Sequence, residues 1–227
     1  MKITAIIPAA GTGSRYSRTK NKLLENLNGL PVIVNTLQVI SSVQEINDII
    51  ICTSIDLIDE IRNITQIYKL NKVKDVILGG KTRQESVFIG LKFINTNPDY
   101  VIIHDGARPL IDKEIIHNSI STAQKNGAAI VAVPVKDTIK KVNNHTKQVI
   151  DTLNREELWN IQTPQIFNYA EILAGHIKYK DENFTDDSGI IEKMGLPVHI
   201  VMGSYKNIKI TTQEDLQIAE ILSNKKL

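Results

Sequence analysis

One cysteine, Cys52, occurs in 227 residues, so an internal disulfide and a thiolate metal cage are both excluded. It lies in the run Ile49-Ile50-Ile51-Cys52, which reads as a core strand around a buried, structural thiol. No apolar run approaches the roughly 20 residues that span a bilayer, so no membrane partner is expected. Neither sign of charge dominates: 27 Lys and Arg stand against 25 Asp and Glu, a net charge of +2. That balance excludes a nucleic-acid coat and a polybasic anchor. His117, His145, His176 and His199 share no metal-ligand spacing. Internal repeats, low-complexity tracts and long linkers are also missing. The first residues lead into strand-like sequence without the apolar stretch of a signal peptide, so the expected compartment is cytoplasmic.

What is present is a full complement of core-forming residues, 42 % hydrophobic, enough for one domain over 1–227. Short runs rich in Ile and Val recur at 3–7, 48–52, 75–78, 100–104 and 128–133 without polar alternation, as in parallel strands buried on both faces. Helical patterns lie between them. Pro31 stands at the first turn of one, Thr82-Arg83-Gln84-Glu85 has capping-box spacing, and Asp112 and Gly127 bracket another. The expected class is α/β, a doubly wound, mostly parallel sheet. The rhythm breaks after Pro134. Residues 136–153 hold two alternating segments around Asn143-Asn144-His145-Thr146, a β-hairpin signal. A lone hairpin is marginal in water, so 136–153 is expected to protrude as an arm against a second subunit. Helices near 169–180 and 186–194, strands near 198–202 and 206–210, and a last helix opened by Thr212 and Asp215 complete the reading.

Five segments could carry chemistry. The first strand runs into Pro8-Ala9-Ala10-Gly11-Thr12-Gly13-Ser14-Arg15, a loop of small residues followed by Lys22. Such a loop lets backbone N–H groups approach an anion, and Arg15 with Lys22 suits a polyphosphate. Neither the P-loop pattern nor the Gly-x-Gly-x-x-Gly fingerprint is present; Arg18 and Lys20 read as solvated surface. His104-Asp105-Gly106-Ala107-Arg108-Pro109 ends the strand at 100–104. Asp105 there is either a Mg²⁺ ligand near phosphates or the head of an ordinary Asp-Gly turn, and His104 reads as a structural histidine. Gly79-Gly80 with Ser86 joins a capped helix start to a possible wall for a base. Lys209 in Asn207-Ile208-Lys209-Ile210-Thr211 would be the exposed residue of a short strand. Arg155, followed by Trp159 as packing and by Thr163-Pro164-Gln165, comes after the hairpin.

Together these blocks, with Pro134-Val135-Lys136-Asp137-Thr138 and Thr185-Asp186-Asp187, run in order over almost the whole chain and resemble the 2-C-methyl-D-erythritol 4-phosphate cytidylyltransferases of the non-mevalonate isoprenoid pathway. Many members have Pro-Lys where this chain has Asn21-Lys22, which leaves the lysine in place on a less rigid loop. The resemblance implies a Rossmann-like nucleotidyltransferase that uses CTP and a polyol phosphate with Mg²⁺ or another divalent cation, as a homodimer through the arm. It assigns charge stabilisation at the α-phosphate to Arg15 and Lys22, and Mg²⁺ to Asp105. The nucleotide falls to Pro8, Ala9, Ala10, Gly11, Thr12, Gly13, Gly80, Ser86, Asp105 and Gly106. Arg155, Lys209, Thr138 and Thr185 fall to the acceptor, with Thr138 and Arg155 reaching the partner's site. Ribitol 5-phosphate cytidylyltransferases look similar, but Ala9-Ala10-Gly11, Gly106-Ala107-Arg108 and Thr185-Asp186-Asp187 favour the methylerythritol enzymes. Sugar-1-phosphate nucleotidyltransferases fit the later motifs poorly. A non-catalytic nucleotide-binding regulator would need the glycine loop but not Arg15, Lys22, Arg155 and Lys209 together.

Overall fold

The computed structural model describes residues 1–11, 16 and 21–224. The chain begins with strand β1 (Ile3–Ala9), the two-residue strands β2 (Asn26–Leu27) and β3 (Leu30–Pro31), and helix α1 (Val32–Ser42). Then come β4 (Ile46–Thr53), α2 (Ile58–Ile67), β5 (Val73–Leu78), α3 (Arg83–Phe93), β6 (Tyr100–Ile103), α4 (Lys113–Asn126) and β7 (Ala128–Pro134). The second part holds β8 (Lys140–Val142), β9 (Val149–Thr152), β10 (Trp159–Asn168), α5 (Tyr169–Lys178), α6 (Ser188–Lys193), β11 (His199–Met202) and α7 (Gln213–Asn224).

Among the described residues, seven strands form the central sheet in the order β11-β7-β10-β6-β1-β4-β5. β1 pairs in parallel with both β4 and β6. β10 alone runs against its neighbours, antiparallel to β6 and to β7. Alternate residues of the buried strands feed two cores, which is why no polar alternation survives in their sequences. Ile3, Ala5 and Ile7 join Ile33, Leu37 and Ile61 on one face. Ile6 joins Val87, Leu91 and Ile172 on the other.

The capping signals are realised. Thr82 accepts a hydrogen bond from the Glu85 N–H at 3.1 Å, although the Glu85 carboxylate turns to the Lys81 N–H and not to the cap itself. Asp112 accepts from the Glu114 N–H, and Gly127 closes α4 with φ +87°, a conformation that excludes most side chains. Pro31 occupies the cap position before α1 instead of its first turn.

Two expectations fail. Residues 206–210 are not a strand: the Asn207 N–H turns back to the Ser204 carbonyl, and the Ile210 N–H crosses to the Ala107 carbonyl at 2.9 Å. The segment is an irregular loop clamped to the strand end of β6. The long strand β10 went unforeseen because its polar stretch Gln162-Thr163-Pro164-Gln165 hides the pattern. The register shifts there, between Ile161 and Gln165, so the stretch leaves the ladder with β7. The hairpin at 140–152 is present as β8 and β9, and Val142, Val149 and Ile150 on it are exposed.

Helix α3 lies against β1 and β4 only because Gly90 has no side chain. A Cβ there would sit 2.9 Å from both Cys52 Sγ and Ile6 Cγ2. Gly90→Ala is therefore expected to destabilise the fold by about 1–3 kcal/mol, the range for overpacking a filled core. Urea denaturation reads this directly, and an unchanged midpoint would mean that the helix shifts freely.

Candidate active site

The chain leaves β1 toward β4 and β5, then crosses back to β6 on the other side of β1. The loops after β1 and β6 thus diverge and open a crevice at the carboxyl ends of the strands, where open α/β sheets bind ligands. Here that crevice is a cleft with about 570 Å³ of open space. Pro8, Ala9, Ala10 and Gly11 line one wall, and Gly80, Thr82 and Ser86 the other. Among the described lining residues, Lys22, Lys81, Arg83 and Lys209 face the single acid Asp105, an excess of positive charge that suits a polyphosphate.

The walls are closely built. Cβ atoms added at Gly79 and Gly80 would lie 2.7 Å from Ala10 Cβ and 2.3 Å from Glu85 Cβ, so neither position admits a side chain. Ser86 Oγ accepts from the Gly80 N–H at 3.0 Å and donates to the Thr82 carbonyl at 2.9 Å. These bonds fix the loop edge that faces the cleft.

Asp105 is the electrostatic centre. Its Oδ1 accepts from Arg83 Nε at 2.9 Å, and its Oδ2 lies 2.8 Å from Lys209 Nζ and 3.7 Å from Arg108 Nε. Burial alone would raise its carboxyl; Arg83, Lys209 and Arg108 overcome this and hold it well below the usual carboxylate range. Arg83 also binds Asp187 through Nη1 at 2.6 Å. Arg108 donates to the Asn207 carbonyl, and Lys22 Nζ donates to the Ile210 carbonyl at 2.8 Å. The loop carrying Lys209 is therefore tied to the cations on both sides of it.

A second cavity adjoins the cleft and shares Arg83, Asp105 and Lys209 with it. Its other polar lining residues are Arg108, Gln162, Thr163, Gln165, Thr185, Asp186, Ser188 and Glu192, beside Ile130 and Ile161. Hydroxyl, amide and mixed charged groups of this kind suit a polyol that bears a phosphate.

The fold brings Pro8, Ala9, Ala10, Gly11, Lys22, Gly80, Ser86, Asp105 and Lys209 to one cleft and Thr185 to its neighbour. Thr12, Gly13 and Arg15 lie outside the described residues. Gly106 sits behind the wall, its carbonyl accepting from Thr36 Oγ1 at 2.9 Å. Thr138 and Arg155 line neither cavity. They are exposed at the base of the hairpin, where Arg155 Nη1 donates to the Lys136 carbonyl at 3.0 Å. Arg83, Arg108 and Lys81 are site residues to which the sequence reading gave no role, although Arg83 is among the residues that carry the resemblance. Each is adjacent to or within a recognised block, but a basic residue in a loop carries no sign of the carboxylate it will meet.

His104 is structural, as its sequence context implied. Its Nε2 faces the Arg108 carbonyl at 3.2 Å and must carry the proton, because a carbonyl only accepts. Nδ1 then accepts from Thr163 Oγ1 at 3.1 Å, and that hydroxyl oxygen accepts the Asp105 N–H. Burial pushes the imidazole down to about 4. Its folded value lies below its unfolded one, so the unfolded chain binds the extra proton between about pH 6.5 and 4. Stability is lost as pH falls through that window. The loss is on the order of 3 kcal/mol for one buried neutral histidine. His104→Asn should flatten the pH dependence of the melting temperature between pH 6.5 and 4; an unchanged slope would assign the loss to other groups.

Asp105 is also the residue that could hold a divalent cation. Among the described residues no group of three or more His, Cys, Asp or Glu could cage a metal. Mg²⁺ needs only one or two carboxylates when phosphates supply further oxygens. Among the described residues, Asp105 Oδ1 meets Arg83 alone and keeps a lone pair for an ion carried in by a polyphosphate.

Known proteins resemble this chain over nearly its whole length. Residues 3–225 match the family model described as "IspD: 2-C-methyl-D-erythritol 4-phosphate cytidylyltransferase". A 2-C-methyl-D-erythritol 4-phosphate cytidylyltransferase of Alkaliphilus oremlandii is 45% identical over 222 residues, 96% of this chain and 94% of the relative. One from Halalkalibacterium halodurans is 42% identical over 224 residues, 98% of this chain and 97% of the relative. The crystal structure of the 4-diphosphocytidyl-2C-methyl-D-erythritol synthase of Anaerococcus prevotii superposes with a TM-score of 0.86 at 37% identity, covering 98% of each chain. With a cation-lined cleft at the switch point and a match from end to end, the chain belongs to the 2-C-methyl-D-erythritol 4-phosphate cytidylyltransferase family.

Proposed function

We infer that this chain transfers CMP from CTP to 2-C-methyl-D-erythritol 4-phosphate, giving 4-diphosphocytidyl-2-C-methyl-D-erythritol and pyrophosphate on the non-mevalonate route to isoprenoid precursors. The observation that carries the reading is the wall of Arg83, Asp105 and Lys209 common to the cation-rich cleft and the polar cavity beside it. Two anionic substrates meeting across that wall would be aligned for displacement at phosphorus. An oxygen of the acceptor phosphate bonds to the α-phosphorus, and the bond to the oxygen bridging the α- and β-phosphates breaks. Pyrophosphate leaves with that electron pair. The attacking phosphate is already ionised, so no general base is required, and the work is positioning and charge stabilisation.

In this reading Lys22, with Arg15 by the family pattern, stabilises the charge that grows on the α-phosphate. Backbone groups around Ala9, Ala10 and Gly80, with Ser86, read the cytosine, Pro8 and Gly11 belong to the same nucleotide loop, and Asp105 with Gly106 lies by the ribose. Lys209 takes the acceptor's phosphate and Thr185 its polyol. Asp105 would hold a divalent cation such as Mg²⁺, which would supply charge neutralisation for the departing pyrophosphate. Thr138 and Arg155 reach the acceptor only from a second subunit. A homodimer through 136–153 is supported by the exposed apolar residues Val142, Val149 and Ile150 on the arm and by the marginal stability of an isolated hairpin.

Pyrophosphate release from CTP with methylerythritol phosphate, ribitol 5-phosphate or a sugar 1-phosphate tests the activity. Turnover with the first alone is expected; turnover only with another acceptor, or none at all, would overturn it. CTP is expected to be preferred over UTP and ATP, because a site that hydrogen-bonds the amino edge of cytosine leaves groups unpaired with other bases. Lys22→Ala is expected to lower kcat about 10²–10³-fold, the effect of removing one charge-stabilising donor, with a smaller change in KM for CTP. Normal turnover would remove Lys22 from the chemistry.

Sharing of sites has its own test, made by mixing the inactive variants Lys22→Ala and Arg155→Ala. A mixed dimer would carry both lesions in one composite site and neither in the other. Activity should return to about a quarter of wild type at most under random exchange. No recovery despite demonstrated exchange would return Arg155 to its own chain.

A further inference from the structure

Asp187 lines neither cavity, yet it is joined to both through one guanidinium. It stands at the cap of α6, and its carboxylate is only 1 % exposed. Its Oδ2 accepts from Arg83 Nη1 at 2.6 Å, and its backbone N–H donates to Gln165 Oε1 at 3.2 Å. Arg83 opens α3 and spends its Nε on Asp105 Oδ1 at 2.9 Å. The other oxygen of Asp105 holds Lys209 Nζ at 2.8 Å. Charges therefore alternate from the buried start of α6 to the mouth of the cleft: Asp187, Arg83, Asp105, Lys209.

We propose that Asp187 and Arg83 are positioning residues for Lys209, setting where its ammonium is presented to the acceptor's phosphate. The inference rests on the reading of Lys209 given above. An ammonium on a four-carbon stem has many rotamers, and Lys209 is 38 % exposed, so its place is set chiefly by its counter-carboxylate. The Asp105 carboxylate is in turn oriented by the planar fork of Arg83. That fork is shared: Asp187 draws Nη1 away, which leaves Nε alone for Oδ1, while Oδ2 meets Lys209 at 2.8 Å with Arg108 Nε farther off at 3.7 Å. With Asp187 neutral, its pull on the guanidinium weakens, Arg83 is drawn toward Asp105, and it then competes with Lys209 for the same carboxylate. Asp187 thus acts on the acceptor without touching it.

The test is a double-mutant cycle of Asp187→Asn and Lys209→Ala. The KM for methylerythritol phosphate is measured at saturating CTP, and the KM for CTP at saturating acceptor. Asn keeps the volume and an acceptor oxygen. Asp187→Asn is expected to raise the acceptor KM about 10-fold, within the coupling range of contacting residues, and to leave the CTP KM within about twofold. In the Lys209→Ala background the same substitution is expected to have no further effect on the acceptor KM. Additive effects, equal rises in both KM values, or no rise would overturn the proposal, since a merely structural loss does not single out one substrate. If Lys209→Ala alone leaves the acceptor KM unchanged, the assignment of Lys209 falls and this inference falls with it. If Lys209→Ala raises that KM but the cycle is additive, the positioning role alone falls. Should Asp187→Asn fail to fold, Asp187→Glu, which keeps the charge but moves the carboxylate relative to Arg83 Nη1, enters the same cycle with the same outcomes.

Discussion

A carboxylate buried at the end of β6 would be costly by itself, and most of the site follows from how that cost is met. Asp105 is 7 % exposed in its side chain, and an unpaired buried charge is worth several kcal/mol of instability. Its cations come from three separate segments: Arg83 from the start of α3, Arg108 from the turn after β6, and Lys209 from the loop after β11. Each segment must therefore be where it is for the carboxylate to stay charged. Such clusters add little net stability over a well-packed apolar equivalent. What this one provides is a rim of cations held at fixed spacing around a cleft, which is what an anionic substrate pair requires.

The sheet makes that convergence possible. Parallel strands carry all their C-terminal loops to one edge, and the reversal of strand order beside β1 opens the crevice there. β10 is inserted between β6 and β7 in the opposite sense, so the beginning of this strand, not its end, reaches the site. Gln162 and Thr163 lie in its shifted register. Thr163 ties β10 to the Asp105 backbone, while Asn207 Nδ2 donates to Gln162 Oε1 and to the Thr163 carbonyl. The buried amide of Asn207 thereby locks the Lys209 loop against a strand that the parallel rhythm would not have placed there.

The parts of this fold legible in the sequence are those with short-range physical causes. Ile- and Val-rich runs marked the strands, covered on both faces except at the edge strand β5, and Thr82, Asp112, Gly127 and Thr212 marked helix ends through bonds that span two to four residues. The hairpin declared itself by alternation around polar residues. β10 was hidden because its polar residues bond to remote groups: Gln165 Nε2 reaches Asp186 at 2.7 Å, and Thr163 reaches His104. Residues 206–210 looked like a strand because Ile208 and Ile210 alternate with Lys209. The Ile208 N–H, however, turns back to the Lys206 carbonyl, and the Ile210 N–H goes to the turn after β6 and not to a neighbouring strand. In the site, the loop residues and Asp105 could be picked out by type and spacing. Arg83 could not, since its role depends on two carboxylates that are 22 and 104 residues away.

The arrangement has a chemical logic that neither cavity explains alone. Displacement at a phosphorus atom requires the attacking and leaving oxygens to lie roughly in line, so donor and acceptor must enter from opposite sides of the α-phosphate. Two cavities that share Arg83, Asp105 and Lys209 leave room for one anion on each side of that wall. The wall itself has to attract both substrates without neutralising itself against them. Asp105 serves this by keeping Arg83, Arg108 and Lys209 together against their mutual repulsion while these cations still outnumber it. Replacing Asp105 by a neutral residue would therefore scatter the cations as well as remove one charge, which is why the acid belongs at the centre of a site built to bind anions.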